Sequence, residues 1–94
     1  MSTPREDLVR VVSAARDQAK KLLTAFEQQR QPETSRSSAL YLALVSLRKR
    51  LTKESALPAA DIVKELEQLV ALCEGKLARI KPELEEALKV ARTV

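Results

Sequence analysis

The stretch ALYLALVSLRKRLTKESALPAADIVKELEQLVALC, running from Ala39 to Cys73, decides how this chain folds. Leu40, Leu44, Leu47 and Leu51 recur at steps of four, three and four, and Ile62, Leu66, Leu69 and Cys73 repeat the pattern after Pro58. That spacing is one apolar face of an α-helix. A proline inside a helix costs about 3 kcal/mol and bends it, because its ring meets the carbonyl four residues back and it has no N–H to donate. The stretch therefore predicts a long central helix kinked at Pro58, with the flanking segments packed against it.

Upstream, Thr3-Pro4-Arg5-Glu6 is a helix start. Thr3 is placed to accept from the Glu6 N–H, and Pro4 falls at the first helical position, where a missing donor is harmless. Leu8, Val12, Ala15, Ala19, Leu22 and Phe26 then alternate steps of four and three, the seam of a helix packed along others at a shallow angle. Helix 1 is expected over about 4–29, ending before Pro32, since a residue preceding proline is pushed out of the helical region. Thr34, Ser35, Ser37 and Ser38 offer several N-caps for the next helix, and the short polar connection makes it antiparallel to the first.

Residues 34–94 as one rod would leave most of an apolar face unburied, so the chain has to fold back. One candidate is Ser55 to Pro58. The other is Glu74 to Pro82, where Gly75 suits a left-handed helix end and Pro82 suits a helix start. Periodicity does not separate them, because Cys73, Leu77, Ile80, Leu84 and Ala87 carry the stepping across both Gly75 and Pro82. Either way the expectation is an all-α, antiparallel three-helix bundle forming a single domain over 1–94.

Composition narrows the chemistry. The 94 residues include no histidine and no tryptophan, with Phe26 and Tyr41 as the aromatics, one glycine and one cysteine. Without histidine the commonest neutral-pH general base and metal ligand is missing, and one glycine makes no phosphate-cradling loop. The expectation is a protein that is not an enzyme and needs no metal or other cofactor. A lone Cys73 on the core-facing step reads as a buried thiol. With no long apolar run and no targeting segment, the chain reads as soluble and cytoplasmic.

The net charge of +4 is uneven. Residues 31–53 carry five cations against one anion, while 54–94 carry six against eight. The excess centres on Arg48, Lys49, Arg50 and Lys53. Such a cluster reads as a solvated helix face, as a surface for an acidic protein partner, or as a phosphate contact. Nucleic acid is the weakest of the three, because Tyr41 is the only nearby aromatic for base stacking. Glu83, Glu85 and Glu86 follow Pro82, where they complement the positive end of a helix dipole rather than form an acid–base pair. Val9, Val11, Leu23, Leu42, Val45, Val63, Val70 and Leu72 widen the seams; any left exposed would form a partner surface.

Three places resemble the tubulin-binding cofactor A family of small three-helix chaperones: Thr3-Pro4-Arg5 at the start, Glu54-Ser55-Ala56-Leu57-Pro58 in the middle, and Glu86-Ala87, Val90, Thr93 and Val94 at the end. The resemblance implies a fold-back near Gly75, with helix 2 over about 34–74, kinked at Pro58, and helix 3 over about 76–92. It also implies a cytoplasmic, cytoskeleton-associated monomer that binds β-tubulin folding intermediates and can bind other tubulin-folding cofactors, without a small-molecule substrate or a membrane. Arg48, Lys49, Arg50 and Lys53 would then supply charge complementarity, with Glu54, Ser55, Leu57 and Pro58 shaping the kinked face. The other reading of the same sequence is a generic helical adaptor or a subunit of a larger assembly.

Overall fold

The computed structural model describes residues 3–53 and 58–93, and every regular element among them is helical. Four α-helices follow one another: α1 (Pro4–Gln29), α2 (Thr34–Lys53), α3 (Ala59–Leu72) and α4 (Lys81–Ala91), with a 3₁₀ turn, Gly75–Arg79, leading into α4. Two of the sequence expectations change here. The bundle has four helices rather than three, and the long middle helix is divided.

Pro58 marks that division. It is extended (φ −64°, ψ 138°), and its carbonyl accepts from the N–H groups of Asp61 and Ile62. It thus stands before α3 as its N-cap residue instead of kinking a continuous helix. A proline tolerates this place because a helix start leaves its first N–H groups unpaired in any case. Length gives the same answer: α2 and α3 end to end would span about 51 Å at 1.5 Å per residue, whereas the whole molecule extends 41 × 21 × 20 Å.

The chain therefore reverses direction between α2 and α3 and again between α3 and α4. Arg5 at the start of α1 donates to the Leu51 carbonyl near the end of α2, so these two helices are antiparallel. Arg50 pairs with Glu65, which brings the middle of α3 back beside the last turn of α2. Lys76 Nζ donates to Gln31 Oε1 at 2.8 Å, setting the 3₁₀ turn at the α1–α2 connection, and Arg92 at the end of α4 lies 3.8 Å from Glu67 of α3. The result is an up-down-up-down bundle in which α1 packs between α2 and α4, while α3 packs mainly on α4 and only sparsely on α2.

The core is the seam read from the sequence, except that Leu22 is only partly buried. Leu8, Val12, Ala15, Ala19 and Phe26 of α1 meet Leu40, Leu44, Leu47 and Leu51 of α2, Ile62, Leu66 and Leu69 of α3, and Leu84, Ala87 and Ala91 of α4. Cys73, Leu77 and Ile80 are buried as well, although the helix is interrupted there. Burial pushes the Cys73 thiol above its ordinary pKa, partly offset by the Lys81 ammonium, and Sγ donates to the Leu69 carbonyl. A buried protonated thiol is a poor nucleophile.

Helix ends follow the local chemistry. Thr3 Oγ1 accepts from the Glu6 N–H at 3.1 Å. At the other end of α1, Arg30 is left-handed (φ 52°), which lets the Gln31 N–H reach back to the Phe26 carbonyl. Gly75 is also left-handed (φ 60°) and begins the 3₁₀ turn. For a residue with a Cβ that conformation costs about 1 kcal/mol relative to glycine. Gly75→Ala should accordingly destabilise the fold by about 1 kcal/mol even though open space surrounds the position, and Arg30→Gly should be neutral or stabilising by up to about 1 kcal/mol. Urea denaturation followed by helical circular dichroism measures both, and equal effects of opposite substitutions would contradict the backbone account.

Candidate partner-binding surface

The helical repeat decides which members of the basic cluster share a face. At 3.6 residues per turn, side chains two apart diverge by about 200°, while those four apart nearly coincide. Arg48 and Arg50 therefore leave α2 on opposite flanks, and Lys49 and Lys53 share its outward face.

The flanking arginines are held within the bundle. Arg48 Nε donates to Ser13 Oγ of α1 at 2.7 Å, and that hydroxyl in turn donates to the Val9 carbonyl. Arg50 forms a half-buried ion pair with Glu65 of α3. These two residues stitch α2 to its neighbours on either side, a role that charge clustering in the sequence did not reveal. The sign that was present is the spacing itself, since residues at i and i+2 on a helix with one buried face face different neighbours.

Lys49 and Lys53 are exposed, and among the described residues neither has an ion-pair partner. The outward face continues toward the start of α2 through Ser46, Leu42 and Ala39, all exposed. Leu42 is 60% exposed, the most open large apolar side chain among the described residues, while Leu72 at the end of α3 is 36% exposed. Val9, Val11, Val63 and Val70 instead pack against the core as expected for a bundle.

The predicted site is thus only partly brought together. Lys49 and Lys53 form its accessible charge, Arg48 and Arg50 are committed to the fold, and Pro58 is exposed at the start of α3. Glu54, Ser55 and Leu57 lie outside the described residues. The face is the outward stripe of a single helix. Among the described residues no group of histidine, cysteine, aspartate or glutamate side chains could hold a metal ion, and no helix is long and apolar enough to cross a membrane.

No family model matches the chain, and neither the curated proteins nor the solved structures contain a significant match. The functional reading consequently rests on the surface itself.

The division of labour in the cluster is measurable. Arg48→Ala removes a charge-assisted hydrogen bond and should cost about 1 kcal/mol of stability, whereas Lys49→Ala should stay within about 0.5 kcal/mol of the parent. A double-mutant cycle of Arg48 with Ser13, read by urea denaturation, should show coupling; strict additivity would mean that the bond contributes nothing.

Proposed function

We propose that this chain is a non-catalytic protein-binding module, acting as a helical adaptor or chaperone, and that the outward face of α2 receives an acidic, partly apolar helical segment of its partner. The observation that carries the reading is the Leu42–Ser46–Lys49–Lys53 stripe, where an open leucine and two ammonium groups without an ion-pair partner among the described residues share one helix face. A helix laid along it would bury Leu42 in an apolar contact and set carboxylates against the lysines, which speeds and orients encounter more than it adds affinity. The rigid bundle behind the stripe lowers the ordering entropy of binding.

The resemblance to tubulin-binding cofactor A supplies a specific partner, a β-tubulin folding intermediate, and a cytoplasmic setting. In its favour is the acidic complement that the lysine stripe calls for. Against it stands the architecture, since that family's kinked middle helix is replaced here by α2 and α3 separated at Pro58. The adaptor reading is accordingly the broader and preferred one, with tubulin binding as its sharpest special case.

One experiment addresses both. Purified protein is presented with refolding β-tubulin and, separately, with cytosolic extract at physiological salt, with Leu42→Ser and Lys49→Glu/Lys53→Glu variants in parallel. Stoichiometric β-tubulin capture that both variants weaken roughly tenfold or more supports the chaperone reading. Capture of a different partner with the same variant sensitivity supports the adaptor reading. A partner whose binding ignores both variants would remove the α2 face from the mechanism.

A further inference from the structure

A second surface lies away from the α2 stripe, at the end of the bundle where α1 meets the 3₁₀ turn and the start of α4. Because the segment before Lys81 is a narrow 3₁₀ turn, it covers α1 less completely than a full helix would, and Leu22 and Ala25 stay only half-buried. Two adjoining recesses of about 400 and 290 Å³ result, sharing Leu22, Ala25 and Arg79 in their walls. Phe26 and Ile80 lie beneath them, both buried in the core. From Gln18 to Gln29 along α1 the groove is about 16 Å long at 1.5 Å per residue.

The charges around it are unbalanced. Lys76 already donates to Gln31. Glu83 has its Oε2 buried without a hydrogen-bond partner among the described residues, and burial raises its pKa, an effect that the Lys21 ammonium only partly offsets, so this carboxylate is turned inward rather than offered to a ligand. Arg79, which borders both recesses, is exposed and has no ion-pair or hydrogen-bond partner for its side chain among the described residues. A partly apolar trough bordered by a guanidinium that has no partner among the described residues calls for an anion on an apolar body, and the planar fork of arginine matches a carboxylate with two parallel hydrogen bonds.

We propose that this groove binds a small organic carboxylate with an extended apolar tail, of the medium-chain fatty acid type, its carboxylate on Arg79 and its tail along Leu22 and Ala25. The combined space is within the range of small-molecule sites, and its length suits an extended chain lying along α1. A cationic amphiphile is disfavoured, because Lys21, Lys76 and Arg79 outnumber Glu83 around the groove.

Two-dimensional amide NMR of the full chain, titrated with decanoate below its micellar concentration, tests the proposal, with acetate and decyltrimethylammonium as comparison ligands. Saturable shifts centred on Leu22, Ala25, Arg79 and Ile80 are expected with decanoate, none with acetate, and binding roughly tenfold weaker or less with the ammonium amphiphile. Arg79→Gln, an exposed substitution that leaves the core untouched, should weaken decanoate roughly tenfold. Ala25→Phe should fill the trough and abolish binding, with its melting curve checking that the bundle persists. Equal binding of the two amphiphiles, an unaffected Arg79→Gln variant, or shifts spread through the core without saturation would each overturn the proposal.

Discussion

A 26-residue helix with an apolar seam along its whole length is stable in water only if other helices cover that length, and this constraint governs the rest of the molecule. The α1 seam, from Leu8 to Phe26, extends further than any other helix of the chain. α2 covers one flank over 20 residues. The other flank is closed by α4, which is only 11 residues long, and by the 3₁₀ turn ahead of it. The groove beside Leu22 and Ala25 is what remains where that second cover is thinnest.

The same constraint explains how the polar contacts are distributed. Arg5, Arg48, Arg50 and Lys76 each reach a different segment, to Leu51, Ser13, Glu65 and Gln31 respectively. None is deeply buried, so each contributes modestly to stability. Their larger effect is on register, because directional contacts at both ends and in the middle select one alignment of helices whose leucine seams alone would tolerate sliding. Of the basic cluster, Lys49 and Lys53 are the members that this register does not use.

Much of this was legible in the sequence, and the reason it was legible also explains the error. Alternating steps of four and three identify which residues are buried, and Leu40, Leu44, Leu47, Leu51, Ile62, Leu66, Leu69, Cys73, Leu77, Ile80, Leu84 and Ala87 are all buried. The stepping says nothing of whether one helix carries them. A new helix that turns back into the same core resumes at an apolar residue, so the rhythm survives Pro58 and Gly75 although the direction reverses at each. In the sequence Pro58 is equally compatible with a kink and with an N-cap, and its extended backbone and the length of the molecule distinguish these. The basic cluster misled in a similar way: proximity along the chain put four charges together, while the angular spacing of a helix sends Arg48 and Arg50 to separate neighbours. The groove left no trace in the sequence, since it depends on how far α4 reaches along α1.

The order of the four helices also has a kinetic meaning. α1 with α2, and α3 with α4, are neighbours in sequence, so each pair can form a hairpin by closing a short loop, and bundles of such local contacts fold in roughly microseconds to milliseconds. The seam between α2 and α3 is sparse. What joins the two hairpins is chiefly the contact of α4 with α1, the one extensive interface linking residues far apart along the chain. Folding of this protein is therefore best pictured as two quickly formed halves whose docking carries most of the loop-closure entropy, with the barrier set by how readily α4 finds α1.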